Sequence, residues 1–239
     1  MKIVISQPML FPWVGLLEQV RQADVFVHYA DVQFSKGGFT NRVQIKTAQG
    51  SRWLSVPLSG LSLGQRIDQV QLDIQRDWRG QHRALLAQAY AATPYRDDML
   101  ALVDEVYGAE CTTIAELSER SLLAVCRYFG LDSGTRFLDA AALDVPGAGS
   151  QRVLDIVRAL GGDRYITGYG ARNYLDHEAF ERAGVNVEYM NYRRLPYPQL
   201  HGDFTPYVSS LDLVANCGRH GGEFVQSGTL AWREFLQHE

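Results

Sequence analysis

The stretch MKIVISQPMLFPWVGLLEQVRQADVFVHY, Met1 to Tyr29, decides the fold. Lys2 to Ser6 is a short apolar run closed by Gln7-Pro8, which reads as a buried strand. Pro12 breaks the chain again. Beyond it Trp13, Leu16, Leu17 and Val20 recur at helical spacing, with Glu18, Gln19 and Arg21 on the other side. Val25 to Tyr29 is a second apolar, β-branched run. Strand, loop, helix and strand in one short stretch make a βαβ crossover, and hence a parallel pair.

The same alternation returns in the second half. Thr135 to Asp139 reads as a strand, Pro146-Gly147-Ala148-Gly149 as a loop, and Ser150 as the N-cap of a helix through Val153, Ile156 and Leu160. Arg164 to Thr167 is a strand, Asn173 to Ala183 a helix, and Val185 to Met190 a strand. A segment from Phe204 to Asn216 ends in a helix stopped by Gly218. Between the halves, Arg42–Lys46 and Arg52–Pro57 flank the turn Ala48-Gln49-Gly50 and suggest an antiparallel hairpin appended to the sheet. Trp78 to Phe129 is helical, with breaks near Thr93-Pro94 and Gly108. The expectation is α/β: a Rossmann-like open, mostly parallel sheet with an appended β-hairpin and a central helical insertion at about 78–130, forming a single domain over 1–239.

Composition bounds the function classes. Hydrophobic residues are 46% and charged residues 21% of the 239, as in ordinary globular proteins. The net charge of −4 leaves no basic field for nucleic acid or an acidic membrane. No apolar run reaches the ~18 residues of a membrane span, and MKIVIS enters a strand directly, without a secretory leader. Cys111, Cys126 and Cys217 are odd in number and contain no C-x-x-C pair, so the expected compartment is the reducing cytoplasm. His28, His82, His177, His220 and His238 are scattered, no zinc spacing occurs, and no metal ligands are assigned. G-x-S-x-G is absent too.

Ligands of such sheets bind at the carboxyl ends of the strands, where the strand order reverses. That rule nominates Gln7–Gly15, Asp31–Arg42 and Gly168–Tyr174. In the first loop Gln7 and Phe11 are candidate substrate contacts, with core packing of Phe11 and Trp13 as the plainer reading. The loop is neither G-x-G-x-x-G nor a P-loop, and it lacks the H-x-G-H of nucleotidyltransferases. In the second, Asp31 is a candidate base and Lys36 a candidate catalytic cation. Asn41 and Arg42 are candidate substrate contacts, beside Gly37 and Gly38, which let a backbone approach a ligand. The third supplies Thr167, Gly168, Arg172 and Asn173, placed for an anion at a helix N-terminus. Further on, His201 is a candidate acid/base and Asp203 a candidate contact, although aromatic loops of this kind commonly cover a sheet edge.

Several of these stretches, taken together, resemble the WbqC-like protein family. They are QPMLFPWVG (Gln7–Gly15), DVQFSKGGFTNR (Asp31–Arg42), WLSVPL (Trp53–Leu58), GYGARNYLD (Gly168–Asp176) and YPQLHGDFTPYVSSLDLVANCG (Tyr197–Gly218). They run in family order and reach nearly end to end. Trp13 stands where the family pattern has tyrosine, and Ala30 where it has a second acidic residue, which puts a paired-aspartate role at that loop in doubt. The resemblance implies O-antigen or other polysaccharide biosynthesis and a glycine-transferring activity, without catalytic residues to carry over. Three functions follow as alternatives. One is a transferase or ligase attaching an amino acid or similar acyl group to an amine of a sugar or nucleotide-sugar. Another is nucleotidyl or glycosyl transfer on a nucleotide-sugar, and the third a non-catalytic binding partner. The expected partner is a small molecule, with neither nucleic acid nor membrane insertion. An ATP–magnesium-dependent version suits the layout but lacks H-x-G-H, so the cofactor is open.

Overall fold

Apolar side chains alternate along the first strand: Val4 turns to one face, and Ile3 and Ile5 to the other. The neighbouring strands repeat this, so the sheet is buried on both faces, as a parallel sheet requires. The structure is a computed structural model that describes residues 1–237; His238 lies outside the described residues.

The elements run β1 (Lys2–Ser6), α1 (Val14–Gln22), β2 (Val25–His28), β3 (Arg42–Thr47), β4 (Gly50–Ser55), β5 (Leu58–Ser59) and β6 (Gln71–Leu72). There follow α2 (Trp78–Ala89), α3 (Arg96–Tyr107), α4 (Ile114–Phe129), β7 (Arg136–Asp139), α5 (Gly149–Ala159), β8 (Arg164–Thr167) and α6 (His177–Arg182). β9 (Asn186–Asn191), α7 (Ser210–Cys217), β10 (Gly228–Ala231) and α8 (Trp232–Gln237) complete the chain to residue 237.

The main sheet has six strands in the order β10-β9-β8-β1-β2-β7. β7, β2, β1, β8 and β9 are parallel, and β10 runs antiparallel to β9. Progress through the sheet therefore reverses between β1 and β8, as in Rossmann-like folds. One face packs on α1, α4 and α7 through Leu17, Leu117, Val125, Leu211 and Val214. The other packs on α5, α6 and α8 through Val153, Ile156, Phe180 and Phe235. Each such apolar side chain contributes roughly 1.5–3 kcal/mol when fully buried.

Three local expectations are corrected. The hairpin β3–β4 is its own two-stranded sheet, not hydrogen-bonded to the main one. Helix α5 starts at Gly149 with Ala148 as N-cap; Ser150 Oγ instead accepts from the Asp176 N–H at 2.8 Å. Residues 169–173 form a 3₁₀ turn, so α6 begins later, capped by Asp176, which accepts from Ala179 N at 2.9 Å.

The insertion breaks where its sequence says. Thr113 and Glu116 close a capping box on α4, and Gly130 ends that helix at φ 67°. His82, on α2, is buried with Nδ1 3.0 Å from Tyr107 Oη, and burial lowers its pKa from 6.5 to about 4. A histidine held neutral contributes stability that is present above its unfolded pKa and is lost as pH falls through the folded value. The expected result is a urea midpoint that drops between pH 6.5 and 4, with a smaller drop in His82→Gln. Equal drops in both proteins would remove His82 from the acid response.

Candidate functional site

β1, β2 and β8 end side by side, and the loops leaving them surround a cavity of about 820 Å³. Its position is the crevice where the strand order reverses. Gln7 follows β1, Tyr29 and Asp31 follow β2, and Thr167 and Gly168 close β8; all five line the cavity. A neighbouring slot behind Trp13 and Tyr192 measures about 30 Å³, a single water's room.

The wall opposite β1 is the start of α5. The loop Val145-Pro146-Gly147-Ala148-Gly149 brings its glycines to φ 105° and 60°, backbone that ordinary side chains resist. No side chain caps the helix, and no acidic residue stands in its first turn. With Gly147, Ala148 and Gly149 lining the cavity, the α5 N-terminus presents uncapped N–H groups and the positive end of its dipole there.

Arg152, one turn into α5, is the one Lys or Arg among the described residues lining the cavity. Its Nη1 donates to Asp31 Oδ1 at 3.1 Å, and its Nη2 donates to Asp31 Oδ2. Its Nε donates to Val145 O at 2.9 Å, tying down the glycine loop, and its guanidinium lies 5.1 Å from the Tyr29 ring centre. Both side chains are nine-tenths buried. The fork-to-carboxylate geometry fixes their orientation as well as their charge.

The floor is aromatic. Gln19 Nε2 donates to Tyr192 Oη at 2.8 Å, and Trp13 packs 4.7 Å from the Tyr192 ring. A Cβ at Gly15 would sit 2.3 Å from the Trp13 indole and 2.7 Å from Tyr192, so only glycine lets these rings close over α1. At Gly168 a Cβ would come within 3.2 Å of Tyr192 Oη. Thr167 is buried, and its Oγ1 accepts from Tyr165 Oη at 3.3 Å.

Of the residues nominated from sequence, Gln7, Asp31, Thr167 and Gly168 come together here, and the others do not. Phe11 is fully buried in the core, edge-on to Tyr107 at 5.8 Å, and its N–H donates to Ser121 Oγ at 2.8 Å. Lys36 is exposed over a separate depression shared with residues 61–64. Asn41 donates to Val56 O at 3.0 Å, holding the hairpin. Arg42 folds back on its own loop, donating to Gly37 O and to Gly38 O, and stacks 4.2 Å over Trp53. Arg172 and Asn173 are exposed on the turn after β8 and do not line the cavity. His201 lies 2.7 Å from Ala89 O through Nε2, against α2, and the Asp203 carbonyl accepts from Lys46 Nζ. Both oxygens of Asp31, the candidate base, accept from Arg152, so in this arrangement it holds that cation.

Sequence reasoning missed Arg152, Tyr29, Gln19 and Tyr192. The signal for Arg152 was Pro-Gly-Ala-Gly before an arginine in a first helical turn, a strand-to-helix loop built like those already nominated. Of the two departures from the family pattern, Trp13 lines this cavity and Ala30 a smaller one beside it.

Comparison with known proteins adds the following. The family model described as "WbqC-like protein family" matches residues 7–223. The chain is 29% identical over 228 residues to the uncharacterized protein Rv1507c of Mycobacterium tuberculosis, a match covering 94% of this chain and 97% of the relative. No solved structure matches. With the family model spanning most of its length, this chain belongs to the WbqC-like protein family.

Proposed function

We propose that the cavity between β1 and β8 is the active centre of a transferase or ligase that attaches an amino acid or similar acyl group to an amine of a sugar or nucleotide-sugar. The carrying observation is the meeting of an uncapped, acid-free α5 N-terminus with Arg152 in one large cavity. That pairing favours a phosphate or carboxylate, as a nucleotide-sugar or an activated acyl donor would bring. The volume is of the order of ligand pockets that enclose a small molecule, roughly 300–1,000 Å³.

In this reading the α5 amides and Arg152 hold the anion, and Asp31 holds Arg152. Gln7, whose amide both donates and accepts, orients the acceptor's polar groups, and the Trp13–Tyr192 floor takes a sugar or base face. Nucleotidyl transfer on paired carboxylates has weaker support, because Asp31 is the sole carboxylate among the described residues lining this cavity. Whether ATP and magnesium are used is tested together with the sugar.

Isothermal titration with UDP-sugars, dTDP-sugars and ATP–magnesium checks the reading. Saturable binding is expected in the wild type. Arg152→Lys, which keeps the charge but loses the fork, should weaken it by roughly tenfold or more. Lys36→Ala and Arg42→Ala should leave it unchanged. No binding of any nucleotide, or loss in Lys36→Ala alone, would sink the proposal.

A further inference from the structure

The charged groups of the large cavity are gathered in one place. Arg152 and Asp31 stand by the start of α5 and bind each other, while Gln7, Gln19, Gln33 and Thr167 line the cavity without charge. We propose, resting on the reaction proposed above, that the substrate seated here is a nucleotide-sugar held through its diphosphate without a divalent cation. Arg152 and the α5 amides stand in the cation's place, and the neutral groups take the base and the sugar.

Gln19 points to a ligand from a different wall. It is 7% exposed and lines the cavity, with its Nε2 spent on Tyr192 Oη. A Cβ at Gly168 would lie 3.5 Å from that Nε2, which puts the amide at the end of β8, beside the Trp13–Tyr192 floor. No described residue donates to its Oε1. An amide fixed at its nitrogen, with its oxygen open to a cavity, reads an N–H or O–H donor of whatever lies on that floor. The edge of a pyrimidine base and a sugar hydroxyl both supply one.

Charge decides between a nucleotide-sugar and a magnesium–triphosphate. Val145 O and Asp31 take three of the five Arg152 donors, leaving the rest to be shared by Tyr29 and a ligand oxygen. With Asp31 set against Arg152, the unbalanced positive charge of this wall is the α5 end, roughly +0.5 of an elementary charge. Ala148 stands at the N-cap, where a Ser, Asp or Asn would have closed those amides off. The phosphates of a nucleotide-sugar carry a single charge each, and donors at such a wall can hold them. A triphosphate ends in a more highly charged group and travels with magnesium, which commonly takes one or two carboxylates beside the phosphates. Asp31 is the sole carboxylate among the described residues lining this cavity, and both its oxygens are on Arg152.

The test is calorimetric titration of the full chain with UDP-glucose, dTDP-glucose and ATP, each in magnesium chloride and again in EDTA. At least one sugar nucleotide should bind saturably with the same Kd in both, and ATP–magnesium about tenfold or more weakly than it. Ala148→Asp places a carboxylate at an exposed position where aspartate is a favoured N-cap. The urea midpoint should therefore hold or rise while sugar-nucleotide binding falls by roughly tenfold or more. A merely structural α5 end would move the midpoint alone. Gln19→Leu should weaken binding about two- to tenfold, the ratio given by one neutral hydrogen bond. ATP–magnesium binding tighter than either sugar nucleotide, sugar-nucleotide binding lost in EDTA, or affinity unchanged in Ala148→Asp or Gln19→Leu would overturn this assignment. Each of those outcomes leaves a transferase or ligase at this cavity standing. Silence of all three nucleotides in both conditions would instead remove that reading, and the nucleotide-sugar with it.

Discussion

Arg152→Met is expected to lower the unfolding free energy by about 2–4 kcal/mol, a little under a fully enclosed broken ion pair because one side faces an open cavity. Methionine keeps much of the stem's packing and removes the fork on Asp31, the bond to Val145 O and the contact with Tyr29. Most of the loss comes from what remains: Asp31 left charged and nearly buried, one wall away from Glu119 and Asp139. The double variant Asp31→Asn/Arg152→Met should therefore recover a large part of it. Urea denaturation of wild type, both single variants and the double variant gives the coupling directly. If the double variant is as unstable as Arg152→Met, the pair is not what secures this end of the sheet. Nucleotide binding should stay lost in the double variant whatever its stability, because the cation is gone, which separates the structural from the functional part of Arg152.

That arginine also marks where the sequence stops being legible. The parallel core could be read because β1, β2, β8 and β9 carry short apolar runs and each intervening helix has a clear period. β10 and α8 could not, since Gly228–Ala231 is four residues long and opens with a glycine. At the site, Asp31 and Arg152 are 121 residues apart, and nothing local to either announces the other. The loop from Asp31 to Arg42 misled for the opposite reason. Glycines beside an arginine have the same composition whether the guanidinium grips a ligand or, as Arg42 does, the loop's own carbonyls. Position relative to the strand end decided between them: Asp31 is three residues past β2 and faces the cavity, whereas Lys36 and Arg42 have already left it. Phe11 failed on its conformation. At φ 36° the chain reverses there and drives the ring into the core.

The stretch around His201 lies away from the cavity, and the network that places it there predicts a second large effect. Asp212, fully buried on α7, accepts from Tyr90 Oη at 3.0 Å and from Tyr197 Oη at 2.9 Å. Gln199 donates to Tyr197 Oη and to Thr205 O, and Lys46 donates to the carbonyls of Gly202 and Asp203. His201 completes the strap by meeting Ala89 O. Polar residues there anchor residues 197–205, with His201 on Ala89 O and the Asp203 carbonyl on Lys46. Asp212→Ala strands two buried phenol groups, at roughly 1–3 kcal/mol each, so a loss of about 2–6 kcal/mol is expected. Asp212→Asn keeps an acceptor and should cost less. Burial raises the Asp212 pKa, opposed by the bonds from Tyr197 and Tyr90, so protonation alone removes one acceptor lone pair and not the whole network. Denaturation of the two variants tests this, together with limited proteolysis at 197–205, which should speed up in Asp212→Ala before global unfolding. If Asp212→Ala melts like the wild type, the strap is held by Lys46 and the aromatic packing instead. In that case His201 and Asp203 return as groups whose orientation something other than this network has set.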